Sequence, residues 1–280
     1  MRKLVVVVAL LGLFAASASA DVIGTLTRSG TSLHDTVNAG LEFRTSDAFV
    51  RSLLAHVFDA NFNAKESTIR FYDSFAMMQL ALNKGEIQAI SAPEAVGEYV
   101  LRQNPDYTLR GFVIGKIAVA MAFGFLEERE ELCKSFSKAI EDMEAEGKIG
   151  LLARDYITGP AAIMGNPPVV KFEEFADAPT ITVAVTGDMP PIDYVGVDGE
   201  PAGFNTGILA EIGRRLHVNV KTITVETGAR AAALKSGRAD VVFWFQVFRG
   251  YDAKQDDVPE GVITSTPYYG WNKSVMLGRK

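Results

Sequence analysis

Ile181–Leu216 reads ITVAVTGDMPPIDYVGVDGEPAGFNTGILAEIGRRL, and this stretch decides the fold. Ile181–Val185 is a short apolar run that ends in turn residues, which predicts a buried strand. A Pro- and Gly-rich turn follows. In Asn205–Leu216 the residues Ile208, Leu209, Ile212 and Leu216 share one face at helical spacing, which predicts a helix. Further on, strand, helix and strand recur at Val218–Val225, Ala229–Lys235 and Ala239–Phe245. This alternation predicts parallel strands with helices packed on them.

The half of the chain before this stretch has the same grammar. Thr25–Asp35 is polar and turn-rich, and Leu41–Phe43 is a short strand candidate. Thr45 or Ser46 can cap the next helix, on which Phe49, Leu53, Leu54, Val57 and Phe58 recur at helical spacing. Ile69–Phe71 reads as a strand. Ser74 caps a helix through Leu82, which Asn83-Lys84-Gly85 stops. Ile87–Ser91 is the next strand and Pro93–Gln103 the next helix. Gly111–Phe123 is apolar and β-prone, and Leu126–Met143 and Ile149–Ile157 are helices broken at Gly147. Gly159–Pro179 holds four of the eleven prolines and reads as a linker. Ala81–Ala89 (ALNKGEIQA) echoes Ala233–Val241 (ALKSGRADV): each is a helix end, a glycine stop and a strand start. Glycine suits the stop because the residue just past a helix often takes positive φ.

Composition narrows the function classes. Arg2 and Lys3, the apolar run Leu4–Phe14 and Ala-Ser-Ala ending at Ala20 form a secretory signal peptide, too short to span a bilayer. The expected product is exported to the periplasm and starts near Asp21. Losing Arg2 and Lys3 takes the formal net charge from −6 to −8. An acidic exported chain without a Lys/Arg cluster is not expected to bind nucleic acid. Cys133 is the single cysteine, so no intramolecular disulfide forms, and its helical pattern with Leu132 and Phe136 predicts a buried thiol. His34, His56 and His217 lie in unrelated contexts, with no metal-ligand spacing. There is no nucleophile elbow, phosphate loop or dinucleotide turn, so the expectation is no metal, no cofactor and no catalytic residue.

The order strand, Pro190-Pro191 turn, Gly203-Phe204, helix resembles the start of the bacterial extracellular solute-binding proteins of family 3. Residues 40–157, from the RTSDAF turn (44–49) to AIEDMEAEGKIGLLARDYI (139–157), resemble the half that normally follows it. Thr266-Pro267-Tyr268-Tyr269 resembles the family's segment before its hinge strand, here Trp271–Leu277. The resemblance implies an α/β fold of the periplasmic-binding-protein-like type II: two lobes with a ligand cleft, in circularly permuted order. The expected division is signal peptide 1–20, second lobe 21–123, closing helices of the first lobe 124–158, linker 159–179 and first lobe 180–280. It also implies capture of a small polar metabolite, an amino acid or related carboxylate, for an ABC transporter permease. The alternatives are a binding protein that presents its ligand to a membrane sensor, a cyclohexadienyl dehydratase-like enzyme, and a scaffold that has lost its ligand.

Ligands in open α/β sheets sit at the carboxyl ends of strands, beside helix N-termini. Four loops therefore supply the candidate ligand-binding residues. In the first, Arg44, Thr45 and Ser46 stand where the family has Gly-Thr-Thr or Gly-Thr-Ser against a carboxylate. In the second, Asp188–Tyr194, the family's aromatic wall is replaced by Met189 and Ile192, leaving Asp188 and Tyr194 as candidates. In the third, Phe243–Arg249, aromatics replace small polar residues, and Trp244, Phe245, Gln246 and Arg249 are candidates, Arg249 for a bidentate grip on a carboxylate. In the fourth, Ser91–Glu94, Pro93 takes the place of the family's ammonium-binding Asp, and Glu94 is the substitute.

Overall fold

The computed structural model describes residues 22–26, 68–87, 89–113, 118–249, 258–271 and 273–280. The candidate strand Leu41–Phe43, the helix after it, His34 and His56 lie outside these residues.

Along the chain come β1 (Val22–Leu26), β2 (Thr68–Tyr72), α1 (Phe75–Lys84), β3 (Ala89–Pro93), α2 (Glu94–Gln103) and β4 (Tyr107–Val113). Next are β5 (Ala118–Leu126), α3 (Glu130–Ala145), α4 (Lys148–Ala153) with a π-turn over Arg154–Thr158, and the single turn α5 (Pro160–Ile163). The last part holds β6 (Thr180–Val185), β7 (Asp188–Met189), β8 (Asp193–Val195), β9 (Pro201–Ala202), α6 (Phe204–Leu216), β10 (Asn219–Thr224) and α7 (Arg230–Lys235). It ends with β11 (Val241–Arg249), β12 (Val262–Thr264), β13 (Tyr269–Trp271) and β14 (Lys273–Arg279).

Two sheets carry the architecture, and each is covered by its own helices. The first has the order β2-β1-β3-β14-β4, with α1 and α2 packed on it. Its strands β1, β2 and β3 are parallel, and β14 runs antiparallel to both β3 and β4. The second has the order β10-β6-β11-β5-β12, with β13 also on β5. There β6 is parallel to β10 and β11, as the alternation of strand and helix predicts, while β5 runs antiparallel to β11, β12 and β13. The small sheet β7-β8-β9 lies beyond the end of β6.

The chain passes between the sheets twice, from β4 to β5 and from β13 to β14. Both passages are flanked by antiparallel pairs: Trp271 opposes Val119 in one sheet and Lys273 opposes Val113 in the other. Buried apolar side chains from both α/β units, including Met78, Leu82 and Ile90 on one side and Phe123, Phe136 and Ile208 on the other, belong to one continuous cluster.

Local signals account for most of the elements. Ser74 caps α1, its Oγ accepting the Met77 N–H at 3.3 Å. The two echoed glycines, Gly85 and Gly237, both take left-handed conformations, with φ of 75° and 69°. Gly147, at φ 72°, separates α3 from α4. The linker is strapped down at Asn219, whose Oδ1 accepts the Phe175 N–H at 2.8 Å and whose Nδ2 donates to the Phe175 carbonyl at 3.0 Å. Cys133 is buried, and burial pushes its thiol above the usual range.

Four expectations need correction. Val22–Leu26 is a strand between β2 and β3, so the first residues of the polar stretch Thr25–Asp35 belong to a sheet. Gly111–Phe123 is not one β-segment: its start completes β4 in the first sheet, and its end is β5 in the second. Trp271–Leu277 is likewise split between β13 and β14. Each sheet thus takes a strand from the segment that forms most of the other. Finally, Phe243–Arg249 is not a loop. It is the body of β11, an almost continuous apolar run that pairs with β5 from Phe245 to Arg249, while β6 pairs with the start of the strand at Val241 and Val242.

Candidate functional site

The site is built where the turn ahead of α1 meets the loops that follow β6 and β10. Two main-chain donors cross between the units here. The Phe75 N–H, in the first turn of α1, donates to Asp188 Oδ2 at 2.5 Å. The Thr227 N–H donates to the Asp73 carbonyl at 3.1 Å. Residues 73–75 are therefore gripped from both sides by the unit that carries the second sheet.

Asp188 is held at the end of β7 by its pairing with Tyr194. Its Oδ2 takes a helix N-terminal amide, a favourable place for a carboxylate. Its Oδ1 is buried and has no protein partner. Burial outweighs the Phe75 bond, and with the nearby charges of Asp193 and Glu226 it pushes the Asp188 carboxyl up to about 6. Asp193, wholly buried, differs in being well satisfied. It accepts from the Thr186 N–H at 3.0 Å, the Thr186 hydroxyl at 2.6 Å and the Gly187 N–H at 3.1 Å. Burial still raises its pKa, with these bonds opposing the rise. Asp193 thus pins the turn that presents Asp188.

The turn between β8 and α6 is fixed by Gly203. Its φ is 99°, and a Cβ there would stand 2.7 Å from the Pro191 carbonyl oxygen and 2.8 Å from that of Ile192. Only glycine lets α6 begin this close to the Pro190-Pro191 turn. Asn205 and Thr206, in the first turn of α6, are fully buried, and their side-chain polar atoms also lack protein partners.

Behind the site, Trp244 and Phe245 are buried in β11, 3% and 0% exposed, so they act through what they support. The Arg230 guanidinium lies 4.2 Å from the centre of the Trp244 ring and 4.8 Å from that of Phe245. Arg230 is itself 1% exposed; its Nε donates to the Thr227 carbonyl at 2.8 Å and its Nη1 to the Trp244 carbonyl. The Trp244 indole reaches the Thr186 hydroxyl at 3.4 Å. A rigid chain of contacts thus runs from β11 to the Thr227 that grips the opposite unit.

The remaining candidates fall in three groups. Tyr194 and Glu94 also lie between the units: burial raises the Tyr194 hydroxyl, helped by Tyr99 on α2, and burial pushes Tyr269 to about 12, helped by the Glu94 charge. Gln246 is half-buried in β11, and Arg249 closes that strand opposite Ala118. Arg44, Thr45 and Ser46 lie outside the described residues. Sequence reasoning missed Thr227 and Arg230. A signal existed only for Arg230, a charged residue on the face of a short helix otherwise lined by Ala231, Ala233 and Leu234. Among the described residues no cluster of His, Cys, Asp and Glu could hold a metal ion, and no helix is long and apolar enough to cross a membrane.

Residues 181–246 match the family model of the bacterial extracellular solute-binding proteins, family 3. The resemblance read from the sequence holds for this segment. No curated protein matches the chain by sequence. Similar solved structures include the zinc-bound ligand-binding component of an ABC-type import system from Staphylococcus aureus, at 11% identity and a TM-score of 0.45 over 93% of this chain and 66% of that one. The periplasmic aliphatic sulphonate-binding protein SsuA from Escherichia coli gives 12% identity and a TM-score of 0.37 over 94% and 66%. The GluR0 ligand-binding core from Nostoc punctiforme, in complex with L-glutamate, gives 11% and 0.35 over 92% and 84%. The chain spans just under two thirds of the length of the first two.

Proposed function

We propose that this chain is an exported solute-binding protein of the periplasmic-binding-protein-like type II, with its two lobes in circularly permuted order. It takes up a small polar metabolite between its two α/β units and delivers it to the permease of an ABC importer. The observation that carries this reading is the double passage of the chain, β4 to β5 and β13 to β14, between two sheets whose units meet where Phe75 and Asp73 bond Asp188 and Thr227. The family match over 181–246 supports it. Binding then works by closure of the two units on each other, with the ligand favouring the arrangement in which both faces touch it.

The candidate contacts are Asp188, Tyr194, Glu94 and Thr227. For an anionic group, the place of β1 offers a second candidate beside Arg44-Thr45-Ser46. The chain leaving β1 reads Thr27-Arg28-Ser29-Gly30-Thr31-Ser32, and this sequence contains the Gly-Thr-Ser that the family resemblance implies after such a strand.

Thermal-shift screening against amino acids, polyamines, small carboxylates and aromatic acids tests the function. A specific ligand at 100 times its Kd adds about 2.7 kcal/mol of stability, a readily measured rise in melting temperature. With a hit in hand, Thr31→Ala and Thr45→Ala separate the two candidate turns by which one weakens binding. A full screen without a shift refutes the solute-binding reading.

A further inference from the structure

We propose that the turn ahead of α1 and the turns that carry Asp188 and Thr227 form a proton-controlled latch, which holds the two units shut on each other without a solute and loosens as pH rises. It rests on the two-unit reading above and needs no ligand, so its test is separate from the solute screen.

Two hydrogen bonds cross the boundary in opposite directions. The Phe75 N–H of the first unit donates to Asp188 Oδ2 of the second, and the Thr227 N–H of the second donates to the Asp73 carbonyl of the first. Asp73 and Phe75 flank Ser74, so both bonds close on one turn. The supports on either side are stiff. Ser74 caps α1 through the Met77 N–H, Asp193 pins Thr186 and Gly187 just ahead of Asp188, and Arg230 Nε holds the Thr227 carbonyl at 2.8 Å. Bonds between stiff supports break when the supports move apart, so the two are made and lost together with the closing of the units.

The latch responds to protons because its carboxylate is short of donors. Oδ2 takes the Phe75 N–H, while Oδ1 is buried without a protein partner. The charges near it are acidic: Asp193 on β8, Glu226 ahead of Thr227, and Asp73 in the gripped turn. On α1 the one cation, Lys84, stands in the last turn, far from Phe75. Arg230 is directed at the Thr227 and Trp244 carbonyls, and Tyr194, opposite Asp188 on β8, is half-buried. With the units closed, burial holds the Asp188 carboxyl at about 6; parting them returns it to water and toward the ordinary 3.8. The closed form therefore binds this proton more tightly than the open one. Closure is favoured while the proton is on and weakens as pH rises through about 6. Between pH 4.5 and 7.5 the closing equilibrium constant falls about 25-fold. Asp188 and Thr227 are also candidate contacts for a solute, so the shut latch competes with capture, and a solute meets more open molecules at neutral than at acidic pH.

Amide hydrogen exchange tests the latch, because it reads the free energy of opening even where the open form is rare. The chain from Asp21 onward, wild type and Asp188→Asn, is measured without ligand at pH 4.5, 5.5, 6.5 and 7.5, each rate being divided by that of an unstructured chain. The expected result is that Phe75 and Thr227 share one protection factor, lower than those of Ile90 and Val183 inside the two sheets, and that it falls about 25-fold from pH 4.5 to 7.5. Asn keeps an acceptor for the Phe75 N–H but has no proton to lose, so the protection in Asp188→Asn stays flat. If Phe75 and Thr227 are protected as strongly as Ile90 and Val183, the units part only by unfolding and the latch is overturned. A wild-type protection that does not change with pH, or a variant that follows the wild type, overturns the proton control. The wild-type series is decisive by itself where the variant does not fold. None of these outcomes bears on the solute screen, so the solute-binding reading stands or falls separately.

Discussion

Asp188 makes stability depend on pH in a direction opposite to that of most carboxylates. Its carboxyl sits at about 6, against an ordinary 3.8. The folded chain therefore holds this proton to higher pH than the unfolded chain does. The resulting contribution is fully present below 3.8 and is lost as pH rises through about 6. At about 1.4 kcal/mol per decade, the whole effect is about 3 kcal/mol. Between pH 4.5 and 7.5 the titration curves leave about 2 kcal/mol of it to be observed. Asp188→Asn has no proton to lose, so the stability of the variant relative to the wild type grows by that amount over the same interval. Urea unfolding of both proteins at pH 4.5, 5.5, 6.5 and 7.5 measures it, and the difference cancels the titration of groups that do not interact with Asp188. A stability difference that stays flat across this range, or that moves toward the wild type as pH rises, refutes the account of Asp188 as a carboxylate whose burial outweighs its helix N-terminal bond.

Two further outcomes follow from the packing. Arg230→Met removes the donors to the Thr227 and Trp244 carbonyls and the stacking on Trp244, and is expected to cost about 3 kcal/mol in urea unfolding, with a larger loss of ligand affinity than of fold. Gly203→Ala forces a Cβ against the Pro191 and Ile192 carbonyls at positive φ and is expected to cost about 1–3 kcal/mol, read as a lower melting temperature.

The elements legible in the sequence were those whose signal is local. The period of Ile208, Leu209, Ile212 and Leu216 gave α6, Ser74 gave the start of α1, and Gly85, Gly147 and Gly237 gave helix ends, because caps and left-handed glycines are decided within a few residues. What was not legible depended on partners far away in the chain. Gly111–Phe123 looks like one apolar run and Trp271–Leu277 reads, by the family resemblance, as one hinge strand, yet each is divided between two sheets, and nothing in hydrophobic periodicity marks a change of sheet. Phe243–Arg249 looked like a loop only by analogy with a family pattern. Its own residues, Val241 to Phe248, already read as a buried strand with β-branched and aromatic side chains.

The site shows the same division more sharply. Asp188 was singled out from its turn, but its importance comes from Phe75, 113 residues away. A carboxylate in a Pro-rich turn is ordinarily solvated. Here the amide of α1 closes on it from the opposite unit, and one of its oxygens is left without a donor. A helix N-terminus can stabilise an anion by about 2 kcal/mol at best, whereas burying an incompletely paired charge costs several. In this turn burial outweighs the helix N-terminal bond, so the Asp188 carboxyl is pushed up to about 6 and one of its oxygens stays without a protein donor.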